Sequence, residues 1–427
     1  MNMEKYLKLL VLLVYVGFSI PLLIWGSGIS PDSCAYLAVA KNLHLGNGFT
    51  LYDNSYITNW PLLYPIFLAS LTYITPNLLL IAGITNLSLG IITYFILNHT
   101  LKHPISKILL ALCFVFPPFI KLYIMLWSEP LFLLLLVIGL LFWFDESKPT
   151  KKNLAIIFIA FSAACLTRYA GIFILAGILI TNFIQHKKIT PKLVVGSLAL
   201  LPVSINLWYN SYHAIQIVAN NLAWNQLANL WHNLQHNLPV LILQLSAFTI
   251  LFFALKKSTQ KTKPMAVAAG LYWLVILAFA PLTAAELLRY LLPLIPLLIW
   301  AIDESTTYWT INLKALGGIT ACMMAVSFYF MHYSIKNGTG GYNKRSMKNT
   351  ALKNYLKTKT GKIYSNAPDY IYFISEKSAE LIKPTSTLTP TDEVIVVDQV
   401  TRKTDWPKQQ TFVPYYQQAG FTCYKLQ

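Results

Sequence analysis

Eleven apolar segments of 15–20 residues, nearly free of charge, recur along the first 333 residues. A helix crosses the hydrocarbon core of a bilayer in about 20 residues. Backbone inside lipid must satisfy its own hydrogen bonds, so such segments are held to helices. The expected spans are 6–25, 78–97, 105–120, 129–144, 153–167, 169–185, 192–210, 238–255, 264–282, 287–302 and 314–333. Segment 62–75, LLYPIFLASLTYIT, is shorter and suits an interfacial or re-entrant helix. Only 11% of the 427 residues are charged, against about a quarter in soluble domains. The expected fold is therefore mainly α, a polytopic membrane bundle of about 11 spans.

The net charge of +17 is distributed as a membrane protein distributes it, not as a nucleic-acid binder does. Much of it lies in alternate short loops: Lys102 and Lys107; Lys148, Lys151 and Lys152; Lys187, Lys188 and Lys192; Lys256, Lys257, Lys261 and Lys263. The intervening loops carry almost no Lys or Arg. By the positive-inside rule the basic loops face the cytoplasm, so the N-terminus is expected inside and the C-terminal tail outside. The first span follows Lys5 and Lys8 with no small-residue cleavage site after it, and reads as a retained signal anchor. Five cysteines show no metal-ligand spacing; Cys34 and Cys423 share the outer side, which leaves a disulfide between them open.

Two domains follow: a transmembrane domain, 1–333, and a soluble extracytoplasmic domain, 334–427. The first outer loop, 26–61, bears acids; the second, 210–237, is rich in Asn, Gln, Trp and His without Lys, Arg, Asp or Glu. In the tail, hydrophobic density drops. A helix capped by Ser346, strand KIYS, helix PDYIYFISEKSAEL and strand EVIVVD predict a small α/β layer.

Nine carboxylates are all that the first 333 residues hold, and charge in or beside a bilayer is costly enough that what remains there tends to be functional. Ser30-Pro31-Asp32 is a strong helix start, ended by Gly46-Asn47-Gly48, with Asp32 and Tyr36 one turn apart on one face. Asp32 either complements the helix dipole or does chemistry. Asp53 reads as part of a solvated turn or as a substrate contact. Trp60 and Tyr64 fit an aromatic belt, with Tyr64 also a substrate-binding candidate. Glu129 begins a span, where it suits the helix dipole. Arg168, in an apolar stretch, must find a partner or a phosphate; Glu129 and Glu286 are the partners at hand. Arg289 has Glu286 at i−3. Lys41 and Lys121 complete the cations near the outer surface. His232 and His236, spaced i,i+4, read as a wet amphipathic helix more than a metal site, and the amides and aromatics around them suit a sugar.

The run PDSCAYLAVAKNLHLGNGF and then NWPLLYPIFLA resemble the first loop of the polytopic GT-C glycosyltransferases, among them the protein mannosyltransferases, the lipid A aminoarabinose transferases and an RgtA-like bacterial group. Trp127-Ser-Glu129-Pro-Leu-Phe132, Leu166-Thr-Arg168-Tyr-Ala-Gly171, Glu286-Leu-Leu-Arg289-Tyr-Leu-Leu-Pro293 and, in the tail, Tyr364-Ser-Asn-Ala-Pro-Asp369 continue the likeness in order. It implies a transferase moving a sugar from a polyprenyl-phosphate lipid to a glycan, lipid or protein acceptor on the outer face, with Asp32 as the catalytic acid of the first loop. Substrate-binding residues are then Tyr36, Lys41, Asp53, Tyr64, Glu129, Arg168 and Arg289. Two departures stand out: Asn59 occupies the place of a second acidic residue, and Lys377 that of an arginine. No cofactor is implied; a divalent metal is left open, and no metal ligands or nucleic-acid partner are expected. A lipid-linked sugar flippase and a non-catalytic relative are the alternative readings.

Overall fold

A computed structural model describes residues 3–145, 147–213, 225–237, 262–279, 282–303, 313–383, 386, 388–389, 391–398, 400, 411–418 and 420–426. Its helices are α1 (Met3–Trp25), α2 (Pro31–His44), α3 (Leu63–Thr72), α4 (Leu78–Thr100), α5 (Pro104–Val115), α6 (Pro117–Ile124), α7 (Glu129–Trp143), α8 (Lys151–Thr167) and α9 (Ala170–His186). There follow α10 (Pro191–Leu198), α11 (Leu201–His213), α12 (Asn225–His236), α13 (Thr262–Phe279), α14 (Ala284–Leu291), α15 (Leu294–Ala301), α16 (Leu313–Asn337), α17 (Thr350–Lys357) and α18 (Pro368–Ser375). The described chain divides into two compact units, Met1–Ile20 with Thr58–Tyr64 and Gly83–His332, and Pro21–Ile57 with Pro65–Ala82 and Tyr333–Gln427. Of the first outer loop, 26–57 fall in the same unit as the tail and 58–61 in the first unit.

The first unit is a bundle of apolar helices. Four described helices are long and apolar enough to cross a membrane, or six if each bent pair is one span, against the eleven expected; the expected span 238–255 lies outside the described residues. Breaks account for part of the difference. The pair α5 and α6 bends by 58° at Pro117, which has no N–H to continue the ladder and whose ring crowds the preceding turn. The pair α14 and α15 bends by 43° next to Pro293. Small residues let the helices approach closely, the packing lipid-embedded bundles favour. A Cβ on Gly177 of α9 would meet the backbone of Ala268 on α13, and one on Gly90 of α4 would enter the rings of Tyr15 and Tyr123. Those rings belong to a buried aromatic cluster with Phe114, Phe119 and Tyr94.

In the second unit, the turn from α1 into α2 is stitched by the last turn of α16 and the residues that follow it. Trp25 Nε1 donates to Ile335 O (2.8 Å), Thr339 Oγ1 to Gly26 O (2.8 Å) and Asn343 Nδ2 to Ser27 O (2.9 Å). Backbone bonds join Tyr342 N to Ile29 O (2.7 Å) and Ile29 N to Gly340 O (3.2 Å). Gly341 permits this approach: its φ is +57°, and a Cβ there would collide with the Ile29 carbonyl.

The tail is an α/β layer, with five strands more among the described residues than the sequence reading held. Strands β1 (Gly338–Gly340) and β2 (Asn343–Lys344) form a ribbon. Strands β3 (Ile363–Ser365), β4 (Glu380–Leu381), β5 (Glu393–Val397), β6 (Phe412–Gln418) and β7 (Phe421–Leu426) form one sheet in the order β4-β3-β5-β7-β6. β3 runs parallel to β4 and β5, and β7 antiparallel to β5 and β6. Helix α17 is capped by Asn349, whose side chain accepts from Leu352 N, and not by Ser346, which sits in a 3-10 turn. Helix α18 stops at Ser375 because Glu376 adopts a left-handed conformation, so Glu380 and Leu381 form a strand where helix was expected. Cys34 and Cys423 are both buried, and no disulfide joins them.

A polar knot ties α17 to the sheet. Lys359 Nζ lies 2.7 Å from Glu393 Oε1, while the hydroxyls of Tyr355 and Tyr415 both donate to Glu393 Oε2. Burial works to raise the Glu393 carboxyl, but the bonds from Lys359, Tyr415 and Tyr355 outweigh it and hold it below its ordinary value of 4.5. Burial likewise works to lower Lys359, yet Glu393 carries it above its ordinary 10.5. A depressed carboxyl stabilises the fold above its unfolded pKa and loses that contribution as pH falls through its folded value; a raised ammonium contributes fully below its unfolded pKa and fades as pH rises through its folded value. The knot is therefore complete between about pH 5 and 10. Lys359→Met should weaken the tail by about 1 kcal/mol near neutrality and move its acid transition to higher pH. Thermal unfolding of the full chain at stepped pH reads both; superimposable acid limbs would contradict the assignment.

Candidate functional site

Three sequence motifs far apart in the chain meet in the first unit. Glu129 occupies the first turn of α7, followed by Pro130, and is 1% exposed. Arg168 sits at the break between α8 and α9 with extended backbone, which releases its side chain from both helices. Arg289 projects from α14, a helix started by a capping box in which Thr283 Oγ1 accepts from Glu286 N and Thr283 N donates to Glu286 Oε2. Both arginines converge on one carboxylate oxygen: Arg168 Nη1 is 2.8 Å and Arg289 Nε 2.7 Å from Glu129 Oε1. Arg168 Nη1 also donates to Ser128 Oγ at 3.2 Å. Glu286 is thus no partner of Arg289 here; its carboxylate is spent on the cap.

Aromatic faces complete the setting. The Arg289 guanidinium lies 3.8 Å from the centroid of Trp127, and Tyr290 presents its ring to Arg168 at 5.2 Å and to Arg289 at 5.4 Å. Two guanidinium groups thus share one carboxylate oxygen in a nearly dry place, where a charge deprived of its counter-ion is expensive. Beside it opens a cavity of about 260 Å³ lined by Arg289, Lys121 and Trp127 together with the apolar Pro117, Pro118, Leu122, Leu288, Leu292 and Phe330. Its chemistry is that of a greasy slot ending in positive charge.

Amide side chains missed by the sequence reading brace this region. Asn86 Nδ2 reaches Met125 O (3.1 Å), Trp127 O (3.4 Å) and Tyr64 Oη (3.4 Å). Tyr64 is fully buried, so it belongs to the interior and not to an aromatic belt. Asn210 Nδ2 donates to Tyr169 Oη (2.7 Å), next to Arg168, and to Thr58 O (3.1 Å). In the second outer loop, Asn233 and Asn237 of the α12 segment take up Leu277 O, Leu282 N and Leu282 O at 2.7–2.8 Å, which secures the approach to α14. These described amides bond backbone groups. The only forewarning was that Asn recurs at i,i+4 in an otherwise amphipathic helix. His232 and His236 stack at 4.2 Å, and among the described residues no group of three metal-ligating side chains forms.

The remaining candidates lie in the second unit. Asp32 is in the first turn of α2 and partly exposed, behind a capping box in which Ser30 and Ser33 exchange bonds of 3.0 and 3.4 Å. Tyr36, one turn on, is buried. Lys41 Nζ pairs with Glu376 Oε1 at 2.7 Å. Asp53 Oδ1 accepts from Ser55 N (3.0 Å) and Ser55 Oγ (2.6 Å) in an exposed turn, the arrangement of a local Asx turn.

No protein-family model and no curated protein matches the sequence. Solved structures do match the fold. ArnT from Cupriavidus metallidurans, crystallised with undecaprenyl phosphate, superposes with a TM-score of 0.65 at 11% identity over 99% of this chain and 98% of its own. The apo form of the same protein gives 0.65 over 98% and 97%. An Archaeoglobus fulgidus oligosaccharyltransferase in complex with Zn and sulfate gives 0.50 at 13% identity, over 97% of this chain and 73% of its own. Identities this low speak for the fold alone, and the chain has the fold of the GT-C membrane glycosyltransferases.

Proposed function

We propose that this chain is a membrane glycosyltransferase that moves a sugar from a polyprenyl-phosphate carrier to an acceptor on the extracytoplasmic face. The observation that carries the reading is the pair of arginines sharing one oxygen of buried Glu129 beside the apolar cavity. A lipid phosphate is anionic at one end and hydrocarbon at the other. Its phosphate would meet the guanidinium groups while its chain occupies the slot, and planar guanidinium groups suit phosphoryl oxygens.

Transfer from such a donor breaks the bond between the anomeric carbon and the phosphate oxygen as the acceptor hydroxyl attacks. Arg289, Arg168 and Lys121 would compensate the charge gathering on the departing phosphate, so no acid is needed at the leaving group. Asp32 would take the acceptor's proton; a positioned base contributes about 10²–10⁴ in rate. One-step attack opposite the phosphate inverts the anomeric centre. The acid-bearing loop and the tail lie outside in this reading, as the basic loops require.

Binding of a polyprenyl phosphate to the full chain in neutral detergent, against the matching uncharged polyprenol, tests the site. The phosphate should bind and the alcohol should not, and Arg289→Gln, which leaves a neutral Glu129–Arg168 pair, should weaken binding at least about tenfold. Equal binding of the two lipids would overturn the reading.

A further inference from the structure

Between Lys336 and Lys362 the chain carries eight Lys or Arg residues and not one Asp or Glu. This run begins in the last turn of α16, whose apolar window ends at Asn337. Basic residues at the exit of a span usually mark the cytoplasmic side; at the end of the final span of this chain they need another account. The fold gathers part of the run around a cavity of about 390 Å³ in the second unit, walled by Tyr342, Met347, Lys348, Asn349, Lys353 and Phe373, with no acidic residue among its described lining.

Three features make this more than a scatter of surface lysines. The walls are braced: Tyr342 packs edge-on to Tyr370 at 5.1 Å and donates to Asp369 Oδ2 at 2.8 Å, while Tyr370 donates to Met347 O. The start of α17, fixed by the Asn349 cap, adds the positive end of a helix dipole to the two ammonium groups. The cavity also lies where apolar helices end, for Lys348 Nζ stands 4.2 Å over the ring of Trp25, the last residue of the first candidate span. Trp25 is in turn bonded to Ile335 in the last candidate span. Tryptophan at a span's end sits among lipid headgroups.

We propose that this cavity holds the anionic phosphate headgroup of a bilayer lipid, anchoring the tail to the membrane surface at the exits of the first and last spans. The proposal does not depend on glycosyl transfer. Each lysine near an anionic surface contributes about 1 kcal/mol, so loss of two should weaken binding about thirtyfold.

The full chain in neutral detergent is titrated with phosphatidylglycerol, and bound lipid is counted by native mass spectrometry. Wild type should retain phosphatidylglycerol in preference to phosphatidylcholine. The Lys348→Gln/Lys353→Gln variant should bind about thirtyfold more weakly, and Lys357→Gln, exposed on the same helix outside the cavity, should bind as wild type. Thermal unfolding of each variant separates lost binding from lost folding; both lysines are exposed, so the melts should coincide. Unchanged retention in the double variant, equal retention of phosphatidylcholine, an equal loss in Lys357→Gln, or displacement of the lipid by an equal concentration of inorganic phosphate would each overturn the proposal.

Discussion

Asp32→Asn is expected to lower the rate of sugar transfer by about 10²–10⁴ while the protein folds and binds its lipid as before. The separation of the two effects follows from how α2 begins. Its capping box is made by Ser30 and Ser33, each accepting from the other's backbone N–H, so the cap survives when the carboxylate becomes an amide. What the helix loses is the favourable meeting of a negative charge with its dipole, about 0.3–1 kcal/mol. A residue that only complemented the dipole would show that small loss in the melt and none in turnover. Turnover within a factor of a few of wild type would remove Asp32 from the mechanism.

Glu129→Gln carries the largest expected cost in stability. It leaves Arg168 and Arg289 side by side, each about a tenth exposed, with the shared carboxylate gone. Removing one partner from a buried ionic group costs about 3–5 kcal/mol, because the remaining charge has been stripped of water and of its counter-ion. The double variant Glu129→Gln/Arg289→Gln restores the original net charge of the cluster and should recover part of the loss, a coupling that independent sites do not show. Thermal unfolding in detergent measures the cycle. A Glu129→Gln protein that melts like wild type would mean that the two guanidinium groups are stabilised by something other than Glu129.

What the sequence disclosed and what it withheld divide along sequence separation. Helix α2 was legible because its signals are local: Ser at the cap, Pro at the first position, an acid in the first turn. Strands β3 and β5 were legible for the same reason. Strands β6 and β7 were not, since Pro414 interrupts the first of them, and an edge strand is where a sheet tolerates proline. Arg289 shows the limit most clearly. Glu286 stands three residues away and looks like its partner, but occupies the one position from which a carboxylate can return to the Thr283 N–H. The real partner, Glu129, is 160 residues distant, and no spacing rule reaches that far. Arg168 was read as needing Glu129, Glu286 or a phosphate; the structure pairs it with Glu129. The breaks at Pro117 and Pro293 were likewise written in the sequence, yet hydropathy averaged across them, and bent helix pairs passed as straight spans.

The account as a whole is most directly tested by mass spectrometry of the lipids in three sets of membranes: with the chain, without it, and with Asp32→Asn. A polyprenyl-phosphate sugar should accumulate when the chain is absent and again when Asp32 is replaced, and should be drawn down when the wild-type chain is present. An identical lipid pool in all three would contradict it.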